Sequence, residues 1–370
     1  MTAGPVPFEY EALPSRVVFG LGAADRLAGE VDRLTAAKVL VVGNRDRAVR
    51  LRDRLGQPCA GIFTDVRQHV PVETAAAARE LAGKLEIDCV VACGGGSAIG
   101  LAKAVALDRD VPIIAIPTTY SGSEMTPIWG LTSGRRKQTG RHPRVAPAVV
   151  LYDPGLTTSL SPRATAASGM NALAHCVEAL YGPSANPVSA LLAEEGIRRL
   201  AAGLQASVVD PDDLDGRAEA MLGAHLAGTV LAVAGVAIHH QLCHVIGGAV
   251  GLDHAGLNAV LLPYTVAFVT PAVPGEMRRV AAALGAADGD AAAALWALAR
   301  RLGAPSSLRE LGMGEADLDP VAEAAADRVS QRPRAASPAD LRGLLAAAMS
   351  GKPPAAAAPP AAALAEDAPA

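Results

Sequence analysis

Aromatic side chains are scarce in this chain of 370 residues: four Phe, five Tyr and two Trp, 3% of the total. A core with so few rings must be built from Ala, Val, Leu and Ile. Cysteine is sparse too. Cys59, Cys89, Cys93, Cys176 and Cys243 form no CxxC pair and are odd in number, so a disulfide framework is excluded and a reduced, cytoplasmic setting is expected. Cys89 and Cys93 are expected as packed side chains rather than ligands. No Lys/Arg block interleaved with aromatics occurs, and the net charge is −4, which argues against a nucleic-acid partner. The opening MTAGPVPFEYEALPS has neither the basic nor the apolar region of a secretory leader. The most apolar run, residues 229–238, is too short to span a bilayer and ends in histidines. No membrane is expected, and no internal repeat is found.

What is present falls into two textures. Up to residue 155, apolar runs of strand length (16–19, 38–42, 61–64, 88–92, 112–116 and 148–152) alternate with helical segments at 23–34, 48–55, 72–85 and after residue 96. That alternation predicts a parallel sheet covered on both faces. From residue 156 the strands stop, and Ala/Leu-rich helices are predicted over 164–181, 188–204, 216–250, 254–269, 276–302, 306–311, 319–328 and 338–350. The expected fold is an α/β Rossmann-like domain over 1–155 followed by an all-α domain over 156–350. Residues 351–370, an Ala/Pro tail with nothing to bury, are expected to be disordered.

Two stretches of the first half suit a nucleotide. The run KVLVV ends at Gly43-Asn44, where a nucleotide-binding loop often begins. The segment GGGS follows one strand and opens a helix. Gly94, Gly95 and Gly96 let the backbone approach a pyrophosphate, Ser97 is placed to cap, and the first-turn amides favour an anion. Lys103 faces either phosphate or solvent. The hydroxyl-rich PTTYSGSEMT, residues 117–126, follows the next strand at the edge where open α/β sheets bind ligands.

The second half carries the chemistry. IHHQLCHVIGGAVGLDHAGLN, residues 238–258, places His239, His240, His244 and His254 close together. Residues four apart share a helix face, so His240 and His244 point into one space. SGMNALAHCVEAL offers Asn171 and His175 at the same spacing. Three imidazoles and an amide from two helices describe a metal site or the polar remnant of one, hence an active site.

These residues identify a resemblance. PTTYSGSEMTPIWGLT, TGRHPRV, SGMNALAHCVEALYG, HHQLCHVIGG and HVPVE are similar to motifs of the iron-containing alcohol dehydrogenase superfamily, and within it to the maleylacetate reductase branch. The resemblance implies a dehydroquinate synthase-like fold with NADH or NADPH in the cleft between the domains. It implies that Gly94, Gly95, Gly96 and Ser97 hold the pyrophosphate, that Thr118, Thr119, Ser123 and Lys137 contact the cofactor, and that Asn44 lies near the adenosine ribose. Metal-dependent relatives have an Asp and three His where this chain has Asn171, His175, His240 and His254, with His244 beside the nicotinamide. Gly100 and Asn171 replace the aspartates usual in the alcohol dehydrogenases. Losing one unit charge at contact removes up to ~8 kcal/mol of attraction to a doubly charged cation at an effective dielectric of about 20. Carboxylate desolvation offsets much of this, and even a third weakens binding by roughly two decades. A metal is therefore not expected to be required. If one is present, those four residues are the expected ligands.

The implied reaction is NAD(P)H-dependent reduction of the carbon–carbon double bond of maleylacetate to 3-oxoadipate, in the degradation of aromatic compounds. His244 is the expected proton donor, with His240 and His175 supplying positive potential. Tyr120, Asn171, His254 and Arg141 are expected around a small dianionic substrate, Arg144 sharing the role of Arg141. A homodimer is implied as well. Two other readings stay open: a metal-dependent alcohol dehydrogenase acting on a small alcohol or aldehyde, and a non-catalytic cofactor-binding relative. A sugar-phosphate cyclase is disfavoured, because its Glu/His/His zinc set is missing. The histidine loop departs from the common family pattern at Asp253, Gly256, Asn258 and Tyr264, as does SQRPR at 330–334.

Overall fold

The computed structural model describes residues 8–12, 15–134, 136–329 and 331–355. Its strands are β1 (Arg16–Phe19), β2 (Val39–Gly43), β3 (Cys59–Phe63), β4 (Cys89–Gly94), β5 (Ile113–Pro117), β6 (Ile128–Ser133), β7 (Arg136–Arg141) and β8 (Val149–Tyr152). Six of them form a parallel sheet in the order β1-β8-β5-β4-β2-β3. Helices α1 (Leu27–Arg33), α2 (Arg45–Leu55), α3 (Val72–Lys84) and α4 (Gly96–Arg109) cover it. The strands are apolar throughout because both faces are buried. Val39, Val41, Cys89 and Val91 pack with Leu27, Val31, Ala48 and Leu51. Their neighbours Leu40, Val42, Val90 and Ala92 join Ala78, Ile99 and Val105 in a core that continues into the helical half. Each fully buried Val, Leu or Ile contributes roughly 1.5–3 kcal/mol, so the aliphatic core suffices without rings.

The helical half comprises α5 (Pro162–Ala179), α6 (Pro187–Val209), α7 (Leu214–Ala234), α8 (Ile238–Val250), α9 (His254–Val269), α10 (Pro274–Ala283), α11 (Ala291–Arg301), α12 (Leu318–Ala326) and α13 (Pro338–Ser350). Three expectations differ here. The predicted helix over 216–250 is two helices meeting at 94°. Gly235, at φ +75°, stops α7, a left-handed turn that glycine adopts at little cost. The segment predicted over 276–302 divides into α10 and α11 around Gly285 and Gly289, both at positive φ. Residues 306–311 form turns rather than a helix.

In the first half, β6 and β7 pair as an antiparallel hairpin from Ile128↔Arg141 to Ser133↔Arg136. Strand propensity is weak there because none of the residues of β6 is fully buried. The start of the tail is anchored rather than loose: the Tyr264 hydroxyl donates to the Lys352 carbonyl (2.7 Å) and Trp296 Nε1 to the Gly351 carbonyl (3.2 Å). The disorder expected beyond it falls on 356–370, outside the described residues. Among the described residues, no single helix is long and apolar enough to cross a membrane; α7 and α8 pass that test only as a bent pair.

Candidate active site

The two halves meet along α7. Gly122, in the left-handed region at φ +75°, touches Gly228 so closely that a Cβ there would lie 2.9 Å from the Gly228 Cα. Beside it, Tyr120 is fully buried. Its hydroxyl accepts from Arg217 Nη1 (3.2 Å) and donates to Thr157 Oγ1 (3.4 Å), while Arg217 also donates to Thr165 Oγ1 (2.8 Å). Tyr120 is thus a rivet between the halves, which corrects its expected placement against substrate. Further along, Arg141 Nη2 donates to the Ala232 carbonyl (2.6 Å), and the remainder of this side chain is exposed. Arg144 pairs with Asp110 at the far end of α4. Two residues past Ala232 the chain turns into α8, so the histidines begin beside the hairpin end that carries Arg141.

On the sheet side, Gly95 starts α4 with no side-chain cap. Ser97 lies inside the first turn and does not cap, contrary to expectation. The first-turn amides therefore meet no protein side-chain acceptor, as an anion site requires. The loop after β5 packs close on this turn: a Cβ on Gly95 would lie 2.9 Å from Thr119 Cγ2, and one on Gly96 would lie 3.5 Å from Ser121 Oγ. Ser121 Oγ is buried without a protein partner. Thr118 Oγ1 accepts from Arg47 Nη1 (3.2 Å), whose Nη2 donates to Ser159 Oγ (2.9 Å). Asn44 caps α2 by accepting from the Arg47 amide (3.0 Å). Ser123 lies on a short 3-10 turn. Lys137 faces Thr132 across the hairpin, and its side chain lies outside the described residues.

The rings do gather. His175 and His240 stack with centroids 4.2 Å apart and planes 5° from parallel, His239 meets His240 edge-on at 5.0 Å, and His244 stacks on His254 at 5.5 Å. One buried carboxylate organises them. Glu178 Oε1 accepts the His239 amide (2.8 Å) and the His240 amide (3.4 Å), capping α8 from the neighbouring helix. Its Oε2 lies 2.6 Å from His240 Nδ1. Burial raises the Glu178 pKa, and the charge of His239 and the amides of 237, 239 and 240 oppose that rise. Those amides favour the carboxylate, so we assign the proton to His240 Nδ1, leaving a bare lone pair on Nε2, which is buried without a protein partner.

Burial, then neighbouring imidazoles, holds His175 and His240 well below the usual histidine range. Both rings are neutral near pH 7, which corrects the expectation that they supply positive potential. Asn171 Nδ2 lies 3.3 Å from His175 Nε2. With the amide donating, His175 carries its proton on Nδ1, a buried donor that no protein group satisfies. His244 is exposed on α8, one turn past His240.

As placed, His175 and His240 do not both aim at one cation. A ligated imidazole holds its metal in the ring plane, and two nearly parallel planes stacked at this separation share no such point. Among the described residues no group of three His, Cys, Asp or Glu side chains converges to hold a metal. Asp253 does not restore the missing carboxylate, because its Oδ2 accepts the Gly256 amide (2.7 Å) as the cap of α9. Asn258 accepts from or donates to its neighbours structurally: Oδ1 meets His239 Nε2 (2.9 Å) and Nδ2 donates to the His254 carbonyl (2.8 Å).

Sequence reasoning missed Glu178, Arg47 and Ser121. Glu178 stands three residues after His175, a helical spacing that shares its face, so a signal was there. Arg47 is legible only once the start of α2 and the loop after β5 are seen to meet.

Comparison with known proteins gives the family. The profile described as iron-containing alcohol dehydrogenase matches residues 14–154, and that of the Fe-containing alcohol dehydrogenase family, C-terminal, matches 165–349. A maleylacetate reductase of Cupriavidus pinatubonensis is 49% identical over 96% of this chain and 100% of its own length. That of Sphingobium indicum is 44% identical over 94% and 99%. The crystal structure of maleylacetate reductase from Agrobacterium tumefaciens superposes with a TM-score of 0.91 at 43% identity, covering 94% of this chain and 100% of that one.

Proposed function

Because the chain belongs to the iron-containing alcohol dehydrogenase family, we infer that its site performs that family's NAD(P)H-dependent oxidoreductase chemistry as a maleylacetate reductase. The observation carrying this reading is identity of 49% to a maleylacetate reductase along the whole of that protein. The reaction reduces the carbon–carbon double bond of maleylacetate and gives 3-oxoadipate. A bound reduced nicotinamide supplies the hydride. Hydride adds to the alkene carbon beta to the ketone, charge develops on the enolate oxygen, and the alpha carbon takes a proton.

In this reading the first turn of α4, from Gly94 through Ser97, holds the pyrophosphate, with Thr118, Thr119, Ser121 and Ser123 along the cofactor and Asn44 and Lys137 at its margins. His244, exposed on α8, delivers the proton. His175 donates from Nδ1 toward the developing oxyanion, a fixed dipole rather than a charge. Asn171, His240 and His254 line the substrate, and Arg141 meets one carboxylate of the dianion.

We place metal outside this chemistry. Supporting that are the neutral amide of Asn171 and the nearly parallel planes of His175 and His240. Against it stand the family's description as iron-containing and the bare Nε2 of His240, backed by Glu178 as metal ligands usually are. The experiment is oxidation of NADH and of NADPH by metal-analysed protein with maleylacetate, before and after chelation. Turnover that survives chelation supports the whole reading. Loss restored by iron or zinc overturns the metal-free part, and turnover of a small aldehyde in place of maleylacetate favours the alcohol dehydrogenase reading.

The reading includes a homodimer in the cytoplasm, with neither nucleic acid nor membrane as partner. β1 is an edge strand, with Phe19 39% and Leu21 60% exposed at its end, and all five cysteines are free. Sedimentation of the purified protein tests the dimer.

A further inference from the structure

Lys103, two turns into α4, has no exposed surface. Its Nζ donates to the carbonyls of Ser123 (2.7 Å), Thr126 (2.8 Å) and Ile128 (2.8 Å) and meets Thr126 Oγ1 at 3.0 Å. Four oxygens around three N–H bonds resemble the shell of a bound monovalent cation, here supplied by the chain itself. It faces neither phosphate nor solvent. The nearby carboxylate, Glu124, is engaged by the Tyr152 hydroxyl (2.9 Å), so carbonyl dipoles take the place of water around this ammonium. Burial pulls Lys103 down to about 7 and the charge of Glu124 opposes it. Hydrogen bonds to the charged form act in the same sense as Glu124.

The gripped segment, 123–128, includes the end of the hydroxyl-rich loop. Lys103 therefore joins the helix whose first turn is the phosphate cradle to the loop that closes over that cradle. Ser121 Oγ, buried and without a protein partner, marks the gap between them as shaped for a ligand atom. We infer that Lys103 is a positioning residue for the dinucleotide, a built-in cation that fixes the 123–128 turn against α4 and so sets the height of Ser121 above Gly96. The inference rests on the cofactor placement proposed above.

The test is calorimetric binding of NADH to full-length K103M and K103A, with KM measured separately for NADH and for maleylacetate. K103M fills the volume without the charge, and it should bind NADH at least about tenfold more weakly while KM for maleylacetate moves by less than about threefold. K103A should show the same loss. Propylammonium, which replaces the atoms removed, should restore binding, and propanol, its neutral counterpart, should not. Binding by K103M within about twofold of wild type overturns the inference. So does equal rescue by propanol, which would assign the effect to packing alone. Failure of K103M to fold also overturns it, by giving the ammonium to the stability of the domain. Wild-type protein that binds NADH yet leaves maleylacetate unreduced would sink the proposed function separately.

Discussion

Replacing Glu178 by Gln tests the organisation of the histidine cluster most directly. The side chain has no exposed surface and serves two α8 amides through Oε1 and His240 Nδ1 through Oε2. An amide of the same shape has only one acceptor oxygen. If that oxygen keeps the helix cap, the NH2 confronts Nδ1–H. His240 must then change tautomer and lose its bare Nε2, or leave its place. If the amide turns the other way, two buried backbone donors lose their acceptor. Hydrogen bonds to charged groups contribute ~1.5–3 kcal/mol each, and a buried donor left unmade costs ~1–3 kcal/mol. One such loss lowers stability by about 2 kcal/mol. If the same displacement is felt in the transition state, kcat falls by about thirtyfold, since ~1.4 kcal/mol is tenfold in rate. Urea denaturation and NADH oxidation with saturating maleylacetate read the two effects. Wild-type stability together with kcat within about twofold of wild type would refute the reasoning.

Other perturbations follow from the same geometry. His244→Ala should lower kcat by about a hundredfold, at the low end of general acid catalysis, while NADH affinity holds; near-normal turnover removes His244 from the chemistry. Gly122→Ala should destabilise by roughly 2–4 kcal/mol, from the left-handed backbone and the Gly228 contact, and a melt unchanged from wild type would contradict it. Gly248→Ala, where a Cβ meets nothing within 4 Å, is the control and should stabilise by about 0.5–1 kcal/mol. Burial lowers His175, His239 and His240 from 6.5. The unfolded chain therefore takes up protons that the folded one refuses, and stability should be full above pH 6.5 and fall below it. Glu178 and Glu124, raised by burial, act in the opposite sense, while His225 is lowered along with the three rings, so the histidines carry the fall. Urea midpoints that do not decrease on acidification would defeat this.

Much of the fold was legible because both sides of the sheet are buried. Continuous runs such as 39–43 and 89–94 leave little choice of structure, and the Gly94–Gly96 turn announces its helix. The β6–β7 hairpin was not, since its half-exposed residues mix Gly, Thr and basic side chains with no clean alternation. Helical spacing also ran through Gly235, where nothing in the periodicity marks a corner. The histidines were found by spacing alone, and the Asn171–His175 pair likewise. Their charge state was not, because it depends on burial, and burial is decided by which helices close over them. Tyr120 and Arg141 show the same limit. Residue type suggested ligand contacts for both and gave no sign of their protein partners, Arg217 and Ala232, which lie 97 and 91 positions away.

Three contacts fasten α7 to the loops of the sheet half: Arg217 on Tyr120, Gly228 on Gly122, and Ala232 under Arg141. Arg217 and Gly228 are 11 residues apart, close to three whole turns. One added or deleted residue between them would swing the later contacts by about 100° around the axis. It would also re-aim α8 and every ring that α8 carries. An insertion or deletion within 217–238 should therefore disturb the site far more than one in the turn before α7, and the span behaves as a ruler.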